Sequence, residues 1–464
     1  MAGSDFLNLD PSAAPARGRT AWLADQLRSA IANGALAPGT RLPASRVLAG
    51  ELALARGTVV EAYERLYEEG LVVTNHGGGT VVADLVTGNE ARLASLPEAT
   101  AARELLNISE GVPDLTAFPR AAWLRAERKV LATATVRELG YAPPQGALAL
   151  RAALARWLAR SRGVIADADR IVVTAGVTGA LSLLAQVLRG LGIAECAVED
   201  PGAEGNRRIL DHWLDALHPV RVDEQGLDVD ALARTAARTV LVTPAHQFPT
   251  GVVLSPERRR ALVAWAEQVD GFVIEDDYDA EYRYDRAPVR ALQATAPERT
   301  VHVSSLSKVL APALRIGWLI APAGLHYELV RKRWATDLGS PVLPQLALAE
   351  LIDTGVLERH LRRLRLRHRE RRDAAVAAIG RHLPGCRVEG VAAGLHLLVR
   401  LPDRIDDAAL ATRAAAEGIA VKPLSEHRFA PGPPGLVIGY GPHPPARLEQ
   451  ALKTLGTLAG LLPT

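Results

Sequence analysis

Sulfur is scarce in this chain. Two cysteines, Cys196 and Cys386, and one methionine stand among 464 residues. Two widely separated thiols offer neither a disulfide framework nor a metal-ligand spacing, which fits a reducing compartment. No apolar run approaches the ~18 residues that a membrane span requires. The opening MAGSDFLNLD carries acid early and has no apolar core, unlike a secretory signal. Together these absences point to a cytoplasmic protein with no membrane-spanning part. An excess of either charge is also missing, with a formal net charge of +2. Any anionic partner must therefore be met by a local basic face. What is present is ordinary for a globular protein: 48% hydrophobic and 23% charged residues. The length exceeds what one core normally supports, so two or three domains are expected.

Residues 17–84 read as a small front domain. Trp22, Leu23, Leu27, Ala30 and Ile31 recur at helical spacing. Ala37-Pro38-Gly39-Thr40 reads as a turn, and Ser45 as the N-cap of a helix through Leu52. Thr58 to Gly70 reads as a further helix with apolar Val59, Ala62, Tyr63 and Leu66. Leu71–Thr74 and Thr80–Ala83 then read as two strands joined through His76 and a glycine turn, a β-hairpin. Helix, helix, turn, helix and hairpin is the order of a winged helix-turn-helix. Residues 85–110 lack periodicity and read as a linker.

From Gly111 the pattern changes. Ile171–Val173, Cys196–Val198, Val240–Val242, Phe272–Ile274 and Val301–Val303 are short apolar runs alternating with helices. Such runs are expected as buried parallel strands of an α/β sheet. Ligands of such sheets bind at the carboxyl ends of the strands. Three strand ends carry chemistry. After Val173 come Gly176, Val177, Thr178 and Gly179, then a helix from Ala180, a loop suited to a phosphate. After Ile274 come Glu275, Asp276, Asp277 and Tyr278. After Val303 come Ser305-Leu306-Ser307-Lys308, with Arg315-Ile316-Gly317-Trp318 downstream. A lysine among hydroxyls forms Schiff bases with carbonyl compounds, pyridoxal phosphate above all. Ser305, Ser307 and the guanidinium fork of Arg315 would hold the phosphate. A buried aspartate at Asp276 would pair with the pyridine nitrogen. The expected fold is therefore α/β, a winged helix-turn-helix followed by a larger cofactor-binding domain.

The stretch from Gly34 to Ala83, GALAPGTRLPASRVLAGELALARGTVVEAYERLYEEGLVVTNHGGGTVVA, resembles the GntR class of DNA-binding domains. That resemblance implies double-stranded DNA as a partner. It implies DNA contacts from Arg46, Arg56 and Thr58, and from His76 and Gly77 in the wing. Residues 111–464 resemble a fold-type I, pyridoxal 5'-phosphate-dependent aminotransferase domain through GVPDLTAFPRAAW, TPAHQFPTGVVLS, IEDDYDAEYRY and SSLSKVLAPALRIGW. The fusion of the two resembles the MocR regulators. By that resemblance Lys308 forms the internal aldimine, Asp276 pairs with the ring nitrogen and Tyr278 lies near the phenolic oxygen. Val177, Thr178, Ser305, Ser307 and Arg315 surround the phosphate. Tyr141 would reach the phosphate of a partner subunit, which implies a homodimer with shared sites. Gln247 or His246 would replace the hydrogen bond of the aminotransferase NPTG asparagine.

Three positions depart from the aminotransferase pattern. Ala203 follows Pro201-Gly202 where a stacking aromatic is common. Phe248 precedes Pro249-Thr250-Gly251 in place of asparagine. Val437 stands where transaminases carry the arginine that binds the substrate carboxylate, with Arg428 nearby as a substitute. The run from Glu358 to Arg372, ERHLRRLRLRHRERR, reads as a solvated helix laced with intrahelical pairs or as a basic face for DNA. Its histidines, His360 and His368, match no metal-ligand spacing. Three functions fit these residues: a DNA-binding regulator that senses pyridoxal phosphate or an amine through it, an aminotransferase with an appended DNA-binding head, and a regulator whose large domain only dimerises. The retained Lys308, Asp276 and Arg315 favour the first over the third. The departures favour it over the second.

Overall fold

The structure is a computed structural model and describes residues 15, 17–75, 79–84, 105–109, 111–285 and 287–461. It separates into two compact units, Met1–Ala102 and Arg103–Thr464. His76 and Gly77 lie outside the described residues, as does most of the expected linker.

The first unit holds helices α1 (Arg19–Ala32), α2 (Ser45–Glu51) and α3 (Arg56–Glu68), then strands β1 (Val72–Asn75) and β2 (Gly79–Val82). The strands pair antiparallel, with Val72 opposite Val82. Leu23, Leu27, Leu48, Val59 and Leu66 meet in one buried core, so the helical spacing of apolar residues does what it predicts. Two boundaries differ from expectation. Ser45 is the first residue of α2, and Ala44 takes the N-cap position with no side-chain bond. The third helix starts at Arg56 rather than Thr58 and stops where Gly70 takes φ 71°.

The second unit begins earlier than residue 111. Strand β3 (Leu106–Asn107) pairs parallel with a later strand at Ile419–Ala420, and Ile108 is fully buried. These residues, expected as linker, belong to the large unit because their apolar side chains have a core to enter. Helices α4 (Arg120–Thr133), α5 (Val136–Leu139) and α6 (Leu148–Arg162) follow. Next come β4 (Ile171–Thr174), α7 (Gly176–Gly190), β5 (Glu195–Asp200), α8 (Glu204–Trp213), β6 (Ala216–Asp223) and β7 (Gly226–Leu227). The chain continues through α9 (Val229–Leu232), β8 (Thr239–Val242), α10 (Pro256–Gln268), β9 (Phe272–Asp276), β10 (Thr300–Ser305) and β11 (Gly317–Ile320).

Strands β4 to β11 form one eight-stranded sheet in the order β4-β11-β10-β9-β8-β5-β6-β7. Neighbours from β10 through β6 are parallel. Strand β11 runs antiparallel to both β10 and β4. All five apolar runs expected as strands are strands, and β6, β7 and β11 are additions to them. Alternate residues feed opposite faces, as period-2 geometry requires. Ile171, Val173 and Trp318 enter one core, while Val172 and Leu319 enter the other.

The remainder comprises α11 (Ala323–Asp337), α12 (Val342–Asp353), α13 (Val356–His382), β12 (Arg387–Glu389), β13 (His396–Arg400), α14 (Asp407–Ala416), β14 (Ile419–Ala420), β15 (Lys422–Pro423), β16 (Gly435–Gly439) and α15 (Pro445–Leu458). Strands β12, β13, β16 and β15 form a second, antiparallel sheet. Among the described residues, no helix is long and apolar enough to cross a membrane.

Candidate cofactor site and nucleic-acid face

In the first unit, Arg46 lies in the first turn of α2 and is exposed. Arg56 opens α3 and is exposed, and Thr58, half-buried, follows in the same turn. The N-cap of α3, Ala55, makes no side-chain bond to the helix. The Thr58 N–H bonds the Ala55 carbonyl at 3.0 Å, and a helix start of this kind suits an anion through its dipole. The acids of α3 are partly neutralised within the unit. Arg65 pairs with Glu61 at 2.7 Å and Arg28 with Glu69 at 2.5 Å.

In the second unit, the antiparallel turn between β10 and β11 sets the geometry. Ser305 pairs with Gly317, so the intervening loop returns Arg315 to the sheet edge beside β4. Arg315 sits at φ 50° and donates from Nη2 to the Ala175 carbonyl at 2.5 Å. Helix α7 starts at Gly176, not at Ala180, so Val177 and Thr178 lie in its first turn. Its N-cap, Ala175, makes no side-chain bond. A Cβ on Gly317 would meet Gly176 Cα at 2.7 Å, and a Cβ on Gly176 would meet Arg315 Nη1 at 3.2 Å. Two glycines are therefore needed to bring the guanidinium against the helix start. The result is a cradle of open N–H groups and one arginine, the chemistry a phosphate needs. Ser305 is buried, and its hydroxyl accepts from the Ser307 N–H at 3.4 Å.

Lys308 follows on the same loop. Leu306 anchors the loop in the core, and the Lys308 carbonyl accepts from the Tyr282 hydroxyl at 2.9 Å. Gly111 lies against the lysine: a Cβ there would be 3.5 Å from Lys308 Nζ.

Asp276 ends β9 and is buried. Asn206, from α8, donates to its Oδ2 at 2.7 Å. Its Oδ1 is buried with no hydrogen-bond partner. Burial raises the Asp276 pKa to about 7; Asn206 opposes the shift, Asp277 and Asp279 add to it, and Lys308 opposes it. A buried carboxylate with one open oxygen fits a cationic N–H. Asn206 was not foreseen from sequence. A lone asparagine inside a helix carries no pattern that would mark it.

Tyr278 is half-buried, with its hydroxyl 3.1 Å from His246 Nδ1, which is 3.0 Å from Asp279 Oδ2. Burial, then Asp279 and Asp276, push the Tyr278 pKa well above its ordinary value. His246, Asp279 and His396 offer ligand atoms within 4.8 Å of one another. His396 Nε2 already lies 3.2 Å from the Pro249 carbonyl oxygen.

Gln247 does not present its amide to a cofactor. Its Nε2 donates to Glu199, Pro201 and Phe248, and its Oε1 accepts from the N–H and hydroxyl of Thr250. Both ends are spent tying loops together, which corrects the expectation of a cofactor bond. Burial raises the Glu199 pKa to about 7, against the hydrogen bonds from Thr243 and Gln247.

Residues 103–455 match the family described as aminotransferase class I and II. Residues 20–82 match the bacterial regulatory proteins of the gntR family. The HTH-type pyridoxine biosynthesis transcriptional regulator PdxR of Corynebacterium glutamicum is 36% identical over 444 residues, covering 95% of this chain and 95% of that protein. A protein named the probable rhizopine catabolism regulatory protein MocR, of Rhizobium meliloti, is 31% identical, covering 93% of this chain and 92% of that one. The chain belongs to the MocR-type transcriptional regulators. Its second unit has the fold of an archaeal alanine:glyoxylate aminotransferase, with a TM-score of 0.72, 26% identity and coverage of 77% of this chain and 91% of that one.

In this MocR-type chain, the three departures from the aminotransferase pattern come together. Phe248 and Val437 are buried in one apolar cluster with Leu398 and Leu424, and Ala203 and Tyr278 pack against it. Arg428 does not reach toward this cluster. A Cβ on Gly432 would lie 2.0 Å from Arg428 Nη1, so the guanidinium packs over its own turn.

The basic helix is neither a solvated rod nor an open DNA face along its length. Asp114, buried, binds Arg371 at 2.8 Å and Arg367 at 2.6 Å. Arg371 also donates to the Gly441 carbonyl, and Arg365 to that of Glu281. These arginines tie α13 to other elements of its unit. Tyr141 is 92% exposed.

Proposed function

We propose that this regulator binds pyridoxal 5'-phosphate in its second unit at Lys308 and operator DNA through its first. The observation that carries the reading is the open, buried Oδ1 of Asp276 in the unit that also places Lys308 and the Arg315 cradle at strand ends. Asp276 would hold the pyridine N–H, with Asn206 fixing the carboxylate. Arg315, Ser305, Ser307 and the first turn of α7, with Val177 and Thr178, would hold the phosphate. Tyr278 would lie beside the phenolic oxygen, steadied by His246 and Asp279. Bound there, the cofactor supplies an electrophilic carbonyl carbon that reports on amines.

Arg46, Arg56 and Thr58 would meet DNA, with His76 and Gly77 at the wing. The exposed apolar side chains of Val136, Leu139, Tyr141 and Leu148 support a homodimer, in which Tyr141 would reach the partner's phosphate site. Pyridoxal phosphate, or an amine that reaches it, would be the effector. It can shift the protein only through unequal affinity for two states. The pyridoxine biosynthesis role in the name of the Corynebacterium relative supports pyridoxal phosphate as cofactor. The apolar residues at Phe248 and Val437 weigh against an aminotransferase with an incidental head. Borohydride reduction after incubation with pyridoxal phosphate tests the site. The Lys308 peptide should gain one phosphopyridoxyl group, and a protein modified only elsewhere would refute the reading.

A further inference from the structure

Three buried side chains from distant segments meet beside Tyr278. His246 lies in the loop after β8, Asp279 in the loop after β9, and His396 opens β13 of the second sheet. Each offers a ligand atom, and the three atoms lie within 4.8 Å of one another. His246 Nδ1 is 3.0 Å from Asp279 Oδ2, a gap that a small cation with bonds of about 2.0–2.2 Å can bridge. The Tyr278 hydroxyl lies 3.1 Å from the same nitrogen. A Cβ on Gly394 would be 2.5 Å from Asp279 Oδ2 and 2.6 Å from His246 Nδ1, so a side chain there would crowd both atoms and glycine leaves them clear.

The backbone fixes the tautomer of His396. Its Nε2 lies 3.2 Å from the Pro249 carbonyl oxygen, which can only accept, so Nε2 carries the proton. Nδ1 is then a bare lone pair, and it is buried with no hydrogen-bond partner. Burial and the neighbouring His246 keep the ring neutral by drawing its pKa well below the ordinary range. A buried acceptor left without a donor is costly, and a cation would satisfy it. A neutral imidazole held at its other nitrogen by a backbone carbonyl has the arrangement of a metal ligand. The surrounding charge favours a cation as well. Asp279, Asp276 and Glu199 all act on Tyr278, with Lys308 the cation felt by Asp276 and His396.

We propose that His246, Asp279 and His396 form a site for one divalent transition-metal cation of the zinc class, with the Tyr278 hydroxyl at its edge. Two imidazoles and a carboxylate suit Zn2+ or Co2+, whereas Mg2+ and Ca2+ take oxygen ligands. The ion would replace the contact between His246 and Asp279, and His246 coordinating through Nδ1 would carry its proton on Nε2. It would clip β13 to the loops after β8 and β9, joining the two sheets of the second unit. The proposal does not rest on the cofactor reading, although Tyr278 belongs to both sites.

The test uses untagged full-length protein, freed of unbound pyridoxal phosphate and stripped with a chelator. Calorimetric titration should show one Zn2+ bound per chain, and the melting temperature should rise with free Zn2+. X-ray absorption on the zinc-loaded wild type should show two imidazoles and no sulfur around the metal. His396→Gln and the near-isosteric Asp279→Asn should each weaken Zn2+ binding at least about 100-fold. The absorption spectrum needs no variant, so a substitution that fails to fold does not remove the test. A wild type that binds no stoichiometric zinc overturns the proposal. So does zinc held by fewer than two imidazoles, or held equally well by the folded variants. Each of these outcomes leaves the labelling test at Lys308 untouched.

Discussion

Asn206 Nδ2 lies 2.7 Å from Asp276 Oδ2, a helix residue fixing the carboxylate at the end of a central strand. The bond orients Asp276 so that its second oxygen is left buried and open. It also resists protonation of a carboxyl that burial pushes up to about 7. Asn206→Ala should therefore weaken pyridoxal phosphate binding. A hydrogen bond to a charged group contributes about 1.5–3 kcal/mol, so a loss of about 10- to 100-fold is expected. Equilibrium dialysis of the variant checks it, with unchanged affinity as the contrary result.

The same carboxyl makes stability depend on pH. The Asp276 pKa rises from 3.8 to about 7 on folding, so the folded state holds its proton where the unfolded state has lost it. This contribution favours folding below the unfolded value and is lost as pH rises toward about 7. Asp276→Asn removes it. The melting temperature of the cofactor-free variant should fall less between pH 5 and pH 7.5 than that of the wild type. Parallel pH profiles would show that Asp276 titrates normally.

Asp114 predicts a stability effect far from Lys308 in sequence. Its buried carboxylate receives Arg371 and Arg367. Asp114→Ala would leave Arg371 largely buried without its partner, which costs about 3–5 kcal/mol. Urea denaturation should register that loss. A change under about 1 kcal/mol would show that water replaces the carboxylate.

Arg56 opens the first turn of α3, exposed beside an uncapped helix start. Arg56→Ala should weaken DNA binding by about 1–3 kcal/mol and leave pyridoxal phosphate affinity unchanged. Fluorescence anisotropy on a DNA fragment recovered with the protein measures the first, and dialysis the second. Undiminished DNA affinity would place the DNA-contacting face elsewhere.

Much of this architecture was legible because the pattern was periodic or local. Helical spacing gave the core of the first unit, and apolar runs gave five strands of the large sheet. Lys308, Asp276 and Arg315 were visible because each follows such a run. What was hidden depends on contacts between distant segments. The β11 strand sits inside a motif read as ligand-binding, so its backbone role was masked. Gln247 looked available, yet Glu199, Pro201 and Thr250 consume its amide. Arg371 of α13 looked solvated because Asp114, its partner, is remote in sequence. The shared cluster of Phe248 and Val437 could not be seen from two separate departures.

Under the proposed function, the state of the Lys308 site would set the DNA affinity of the first unit. The most direct measurement is the affinity of the full-length protein for a genomic fragment it selects, taken with and without pyridoxal phosphate. Loading should change that affinity at least about 5-fold, a coupling of about 1 kcal/mol. Lys308→Ala should bind the fragment but lose the dependence. Equal affinity in loaded and unloaded wild type would contradict the account.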